Sequence, residues 1–430
     1  MIETANRTRV NQSSKKPLRI EHDASCQTQE FINIESTFGA HNYYPIPVVI
    51  ARAEGVHVWD LEGKQYIDML SSYSALNLGH RHPRIIKAAT EQMERVTLTS
   101  RAFYNDKLGP FLKKLTTLTG MEMALPMNTG AEAVETGIKL ARRWAHKRKK
   151  IQDGKAEIIT CARNFHGRTT TIIGFSTDVE ARDGFGPFTP GFKIIPYNDV
   201  NALEEAITPN TAAFLVEPIQ GEAGVIVPTD GYLRKVREIC TENNVLLMLD
   251  EIQTGFCRTG KMFCFQHEGI EPDILLLGKA LGGGLMPLSA VASSRGIMSV
   301  FTPGSHGSTF GGNPLACAIG TATLDVMIEE RLAERSAELG THFMKRLEEL
   351  NNPIFKEIRG KGLLVAVEFN NEAGPARKYS EALMRNGLLA KETHETTIRF
   401  TPPLVIKREE IDTAVEIIQK TWATPEIRVP

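Results

Sequence analysis

The sequence has no apolar run approaching the ~18 residues that cross a bilayer as a helix, so no helical membrane span is expected. Cysteine is scarce. Cys26, Cys161, Cys240, Cys257, Cys264 and Cys317 are scattered and none is in CxxC spacing. In a chain this long that argues against a disulfide framework and for reduced thiols in a cytosol-like compartment. Charge of one sign is also missing. The 50 Lys and Arg nearly cancel the 51 Asp and Glu, and a net charge of −1 indicates no nucleic acid or other polyanion partner. There are no internal repeats, no low-complexity segment and no secretory signal. Arg7, Arg9, Lys15, Lys16 and Arg19 against the single acid Glu3 give the start a faint transit-peptide character, but its apolar residues are too sparse for an amphipathic helix. The expectation is a flexible, polar, aperiodic arm over 1–35 and a cytoplasmic protein, with a mitochondrial matrix address left open.

What is present is globular. The 430 residues exceed one core at about 100–200 residues per domain, so two domains are expected. "GVHVWDLEGKQYIDML" (55–70) reads as a β-hairpin about Glu62-Gly63, and Pro83 opens a helix. His80 and His82 in "GHRHP" have metal-ligand spacing, but that helix start explains them better, and no metal is expected. From about residue 120, short apolar runs at 156–161, 192–197, 212–217, 245–250 and 274–279 alternate with amphipathic segments. One of these is "GYLRKVREICTENN", where Tyr232, Leu233, Val236, Ile239 and Cys240 recur at helical spacing. Runs apolar on both faces and joined by helices predict an α/β fold with a mostly parallel sheet covered on both sides. A long helical pattern comes after Pro314. Beyond it, "GKGLLVAVEF", "TIRFTPPL" and a closing helix from Glu409 read as a smaller α+β layer. The predicted division is a discontinuous small domain of 36–80 with 318–430 and a large domain of 81–317.

Three of the apolar runs stop at a charge: Glu217, Asp250 and Lys279. Ligands of open α/β sheets bind outside the carboxyl ends of the strands. One such residue alone reads as a solvated strand end; three at matched positions point to a site. An unperturbed lysine, with a pKa of ~10.4, is a poor nucleophile at neutral pH. Partial burial would free the Lys279 amine for a Schiff base. A surface lysine on a glycine loop explains "GKALGGG" equally well. Asp250 could hold a proton on a pyridine nitrogen, the arrangement that makes pyridoxal phosphate an electron sink, with Gln253 donating to the ring's phenolic oxygen. Alternatively Asp250-Glu251 simply caps the next segment of chain, or binds magnesium. In "LPMNTGAEAVETGIKLARRW", Thr129 and Glu132 form a capping box that would aim the N–H groups of Gly130 and Ala131 at an anion. Ser308 and Thr309 in "GSTFGGNP" offer a second phosphate site. Phe165 in "ARNFHGRTT" could stack on a ring or sit in the core, and Arg168 could clamp a carboxylate or face solvent.

"LLLGKALGGG", "DEIQTGFCRTG", "MNTGAEAVETGIKLAR", "NFHGRT", "VEPIQGEAG" and "GSTFGGNPLA" together resemble the class III pyridoxal-phosphate aminotransferases, from about residue 36 to the end. The resemblance implies an aspartate-aminotransferase-like large domain and pyridoxal 5'-phosphate as cofactor. "GAHNYYPIPVVI", "SSYSALNLGHRHP", "DGFGPFTPGF" and "IRFTPPLVIK" extend it to members that move the δ-amino group of L-ornithine to 2-oxoglutarate. It implies that Lys279 carries the Schiff base and moves the proton, and that Asp250 pairs with the pyridinium. It also implies that Gln253 meets the phenolic oxygen, Phe165 stacks, and Gly130 and Ala131 bind phosphate by backbone, with Glu217 and Ser308 in the cofactor site. Thr309 would reach the cofactor of the neighbouring subunit, so a homodimer is implied. For substrates, Glu222 would neutralise Arg399 when ornithine is bound and swing away for 2-oxoglutarate. Arg168 would hold the far carboxylate, and Tyr43 and Tyr73 would shape the ornithine end. An ordinary ion pair between domains is the plainer account of Glu222 and Arg399. His166 takes no role.

Three other readings stay open on sequence alone. The first is a sibling enzyme for acetylornithine or 4-aminobutyrate, against which the "HNYYP" segment around Tyr43 argues. The second is a nicotinamide dehydrogenase, for which the GxGxxG order is missing. The third is a non-catalytic binding protein of the same fold, against which Lys279 counts.

Overall fold

The computed structural model describes residues 26–423, and the chain falls into two compact units, Met1–Val49 and Ile50–Pro430. In the first unit the aperiodic reading of the arm is corrected from Cys26 onward. Cys26–Phe38 is a helix, with Phe31, Ile34 and Phe38 recurring at helical spacing but all exposed. Phe31, Ile32, Ile34 and Phe38 among polar residues give the sequence too weak a periodicity to read. Residues 1–25, the rest of that arm, lie outside the described residues.

The second unit holds three sheets. The hairpin forms as expected. Strand β1 (Ile50–Glu54) pairs antiparallel with β2 (His57–Asp60), and β2 with β3 (Gln65–Asp68). The helix after it is Pro83–Met93, with proline in its first turn, where no N–H is needed. His80 binds Asp68 at 2.8 Å and His82 binds Glu330 at 3.1 Å, in keeping with the turn reading of both histidines.

The central sheet contains β4 (Met123–Met127), β5 (Glu157–Cys161), β6 (Phe192–Ile195), β7 (Thr211–Val216), β8 (Leu246–Asp250), β9 (Ile274–Leu277) and β10 (Ser289–Ser293). Its order is β4-β10-β9-β8-β7-β5-β6. All pairs are parallel except those of β10, which runs against both β4 and β9. Every residue of β7, β8, β9 and β10 is buried, as a sheet covered on both faces requires. Side chains alternate between two cores. Leu247, Leu249, Leu275 and Leu277 face one; Leu246, Met248, Ile274 and Leu276 face the other. Each such residue stabilises the fold by roughly 1.5–3 kcal/mol. The helix Gly130–Trp144 packs onto the second face. A Cβ at Gly137 would meet Leu276 at 2.7 Å and Met248 at 2.8 Å, so the missing side chain lets the helix lie close to the sheet.

The remaining strands are β11 (Phe355–Lys361), β12 (Leu364–Phe369), β13 (Leu388–Leu389), β14 (Lys391–Thr393) and β15 (Thr397–Phe400). The third sheet has the order β11-β12-β15-β14, whereas β13 joins the hairpin sheet by pairing parallel with β3. Residues near 388 thus share a sheet with residues near 67. Among the described residues no helix is long and apolar enough to cross a membrane.

Candidate active site

Strands β7, β8 and β9 are neighbours, so the three charges that end their apolar runs meet at one rim. Glu217 is the residue after β7, Asp250 closes β8 and Lys279 stands two residues beyond β9. They border a cleft of ≈ 220 Å³, which Phe165, Gly130, Ala131, Glu222 and Gln253 also line. This is the carboxyl-end position at which open α/β sheets bind ligands.

Lys279 has a left-handed backbone, φ 45°, which no β-carbon favours. Burial lowers its pKa below the ordinary lysine value. The negative charges of Glu222, Asp250 and Glu217 oppose that shift, and Arg399 adds to it. The result is an amine more easily deprotonated at neutral pH, which a nucleophile requires.

Asp250 is buried, and its two oxygens have different partners. Oδ1 accepts the N–H of Ile252 at 3.0 Å, and Oδ2 lies 2.7 Å from Nδ1 of His166. Sequence reasoning misses His166, whose only distinction there is adjacency to Phe165. Burial disfavours its cation, but the hydrogen bond to Asp250 and the charges of Asp250 and Glu217 outweigh this and raise its pKa. Its Nε2 is buried without a hydrogen-bond partner among the described residues. Glu217 accepts the N–H groups of Phe165 at 3.0 Å and Gly221 at 3.3 Å. Burial pushes its pKa up to about 7, against the pull of the nearby imidazole. Glu251 turns away and accepts the N–H groups of Cys264 and Phe265, so it is unavailable to a magnesium ion beside Asp250.

The capping box forms as expected. Thr129 Oγ1 accepts the Glu132 N–H at 3.2 Å, and Glu132 accepts the Thr129 N–H at 2.7 Å. The helix therefore starts at Gly130 with its first N–H groups at the cleft. Ser308 joins this end through Asn128, whose amide donates to its hydroxyl at 2.9 Å. Thr309 is exposed and does not line the cleft.

Arg399 on β15 donates to Glu222 at 2.8 Å and to Gln253 Oε1 at 3.1 Å. Gln253 Nε2 donates to Glu222 at 3.2 Å and to the Tyr73 carbonyl at 3.4 Å. Gln253 thus bridges the acid and the arginine, a role beyond the ring oxygen that the sequence suggests for it. Although burial opposes it, the Arg399 charge, with Lys279 and the two hydrogen bonds behind it, holds Glu222 down at about 2. The Tyr73 ring lies 5.4 Å from the Arg399 guanidinium carbon. Arg168 is exposed, its guanidinium 5.9 Å from the Phe165 ring, and Phe165 itself is 38% exposed. Tyr43 belongs to the first unit and is exposed.

Tyr73 sits in a turn the sequence does not announce. Ser71, Ser72, Tyr73 and Ser74 have φ of 44°, 48°, 61° and 73°, a turn of left-handed helix without a glycine. Such a conformation costs roughly 1–2 kcal/mol per residue and persists only where its surroundings over-determine it.

These residues meet the needs of pyridoxal phosphate: a deprotonatable amine, a buried carboxylate, an aromatic face, and a helix N-terminus lining one cleft. Comparison with known proteins agrees. The aminotransferase class-III family model matches residues 38–422, and the chain belongs to that family. Ornithine aminotransferase of Brevibacillus brevis is 61% identical over 394 residues, covering 92% of this chain and 98% of that protein. The crystal structure of ornithine aminotransferase from Toxoplasma gondii superposes with a TM-score of 0.91 at 47% identity, covering 93% of this chain and 96% of that one. Acetylornithine aminotransferase from Elizabethkingia anophelis gives 0.84 at 50% identity, covering 92% and 98%.

Proposed function

We propose that the protein transfers the δ-amino group of L-ornithine to 2-oxoglutarate, giving glutamate 5-semialdehyde, which cyclises to pyrroline-5-carboxylate, and glutamate. The observation that carries this reading is the Glu222–Arg399 pair beside Lys279. Ornithine brings an unadorned δ-carbon to the reacting centre, and a paired arginine does not repel its cation. 2-Oxoglutarate brings a carboxylate next to the reacting carbon, and the same arginine, released from Glu222, supplies its counter-charge.

Pyridoxal 5'-phosphate, when bound, supplies the carbonyl for the amine and the electron sink for the carbanion. The chain's own residues do the rest. Lys279 would hold the cofactor through its amine, and that amine takes and returns the proton at the substrate carbon. Asp250, backed by His166, would keep negative charge against the ring nitrogen. Gln253 would serve the phenolic oxygen and Phe165 the ring face, and Glu217 holds the backbone of Phe165 in place. Gly130, Ala131 and Ser308 would take the phosphate. Thr309, exposed on this chain, completes the phosphate site of a second subunit, which makes the enzyme a homodimer. Arg168 holds the far carboxylate of either substrate, and Tyr73 shapes the ornithine end. In the division into 36–80 with 318–430 and 81–317, the joining of the hairpin to the C-terminal part is supported by the pairing of β13 with β3. A cytoplasmic location is supported by the five free, buried cysteines among the described residues.

The test is an assay of ornithine-dependent pyrroline-5-carboxylate formation, with acetylornithine and 4-aminobutyrate alongside. Borohydride reduction of the holoenzyme and peptide mapping complete it. Ornithine should be preferred, and the cofactor mass should fall on the Lys279 peptide. Preference for acetylornithine would move the protein to the sibling activity that the Elizabethkingia structure represents. An unlabelled Lys279 would overturn the mechanism.

A further inference from the structure

Arg258 lies in "DEIQTGFCRTG", five residues beyond Gln253, and is fully buried. An arginine so placed is expected to face a carboxylate, because burying an unpaired charge is costly. The four hydrogen bonds it makes go instead to neutral oxygens. Nη1 donates to the carbonyls of Leu363 at 2.9 Å and Pro402 at 2.7 Å, and Nη2 to Ser71 Oγ at 3.3 Å and Asn77 Oδ1 at 2.5 Å. One of these acceptors, Ser71, opens the left-handed turn Ser71–Ser74, and another, Asn77, lies three residues beyond it. A third lies just beyond β15, the strand that carries Arg399.

A second layer of bonds stitches the same two segments together. Ser71 Oγ donates to the Thr401 carbonyl at 2.5 Å, Thr401 Oγ1 to the Leu70 carbonyl at 2.7 Å, and the Thr401 N–H to the Met69 carbonyl at 2.7 Å. Asp68 holds the entry to the turn by accepting the N–H groups of Leu70 and Ser71. The strained turn therefore has its stabilising contacts on the Arg399 side, with the planar guanidinium fork as their centre.

We propose that Arg258 is a positioning residue for substrate selection: it fastens the left-handed turn to the segment after β15, so that Tyr73 keeps its place over the Arg399 guanidinium. This rests on the proposed role of Tyr73 and Arg399 as substrate-binding residues. Arg258 touches neither substrate nor cofactor; it sets the separation of two groups that do. Lysine in its place keeps the charge but cannot reach four acceptors in one plane, so the turn shifts relative to β15. Displacements of about 1 Å near a reacting centre cost up to about 100-fold in rate.

The experiment compares the two half-reactions of the holoenzyme, with ornithine and with glutamate as amino donor, in Arg258→Lys, Ser71→Ala, Tyr73→Ala and Arg258→Lys/Tyr73→Ala. Arg258→Lys and Ser71→Ala should each raise KM for ornithine about tenfold and leave glutamate within about threefold. The cofactor absorbance should stay unchanged. In the Tyr73→Ala background, Arg258→Lys should cost ornithine nothing further, because it acts through Tyr73. If Tyr73→Ala alone leaves the ornithine-to-glutamate ratio in place, the reading of the site fails. If Tyr73→Ala moves that ratio but Arg258→Lys slows both donors equally, or the two losses add in full, Arg258 is merely structural and the proposal is overturned. Should Arg258→Lys not fold, Ser71→Ala decides on the same criteria.

Discussion

Arg399 Nη1 donates to Glu222 Oε1 across 2.8 Å, and the two residues come from chain segments 177 positions apart. Arg399 is fixed within β15 between β12 and β14, whereas Glu222 lies on the loop after β7. On the proposed reading, the acid is the partner that moves away when 2-oxoglutarate binds. Truncating one member of a buried charge pair is worth about 2–5 kcal/mol. Glu222→Ala should therefore raise the glutamate half-reaction relative to ornithine by at least about tenfold, measured as the ratio of the two single-turnover rates. A Glu222 pKa lowered from 4.5 to about 2 has a further consequence. The pair is intact above 4.5 and lost only as pH falls through about 2, so Glu222 itself should add no pH dependence to that ratio near neutrality. A ratio unmoved by Glu222→Ala would leave the pair as an ordinary structural bridge.

Gly221 is the residue that lets Gln253 join this pair. A Cβ there would lie 1.6 Å from Gln253 Oε1, so Gly221→Ala must push the amide aside. The amide would then lose its bonds to Arg399 and Glu222, each worth about 1.5–3 kcal/mol because its partner is charged. The expected result is the Glu222→Ala phenotype in weaker form: a partial rise in the glutamate-to-ornithine ratio, together with a lowered thermal midpoint. An unchanged ratio would mean that Gln253 is a bystander to substrate choice.

Glu217 makes the stability of the protein pH-dependent. Its pKa rises from 4.5 to about 7 on folding, because burial penalises the carboxylate. Between those values the folded protein binds more protons than the unfolded chain, so stability falls as pH rises from about 4.5 to 7. The raised His166 pKa acts in the same direction at higher pH: its contribution is complete below 6.5 and is lost as pH rises through the elevated value. Glu217→Gln mimics the protonated acid. Urea denaturation should find it close to wild type near pH 5 and more stable than wild type near pH 8, by about 1–3 kcal/mol. An equal offset at both pH values would show that Glu217 does not titrate in this range.

The legible parts of the molecule are those where one residue type meets one physical need. Apolar runs broken by Glu217, Asp250 and Lys279 read as strand ends because a buried sheet admits charge only at its rim. Thr129 with Glu132 reads as a helix start because the capping box is local. Strand β10 (Ser289–Ser293) escapes a sequence reading: serine and alanine fill a tightly packed antiparallel position without strand-like character. Strand β4 is masked by Pro126. His166 gives no signal because its partner Asp250 is 84 residues away. The turn at Ser71–Ser74 is hidden for a related reason. Left-handed backbone is read from glycine or asparagine, and here tertiary hydrogen bonds impose it on serine and tyrosine.

That imposition can be measured. Ser72 is exposed, with φ 48° and ψ 49°, so its side chain contributes steric strain and no packing. Glycine at this position removes a penalty of roughly 1–2 kcal/mol. Its greater freedom in the unfolded chain returns roughly 0.5–1 kcal/mol. Ser72→Gly should therefore stabilise the protein by about 0.5–1 kcal/mol in urea denaturation, with the ornithine-to-glutamate ratio unchanged because Tyr73 stays anchored. Ser72→Val adds a branched β-carbon to the same backbone and should destabilise by at least about as much. If Ser72→Gly preserved the stability but shifted the ratio, the strain itself, and not the surrounding hydrogen bonds, would be what holds Tyr73 against Arg399.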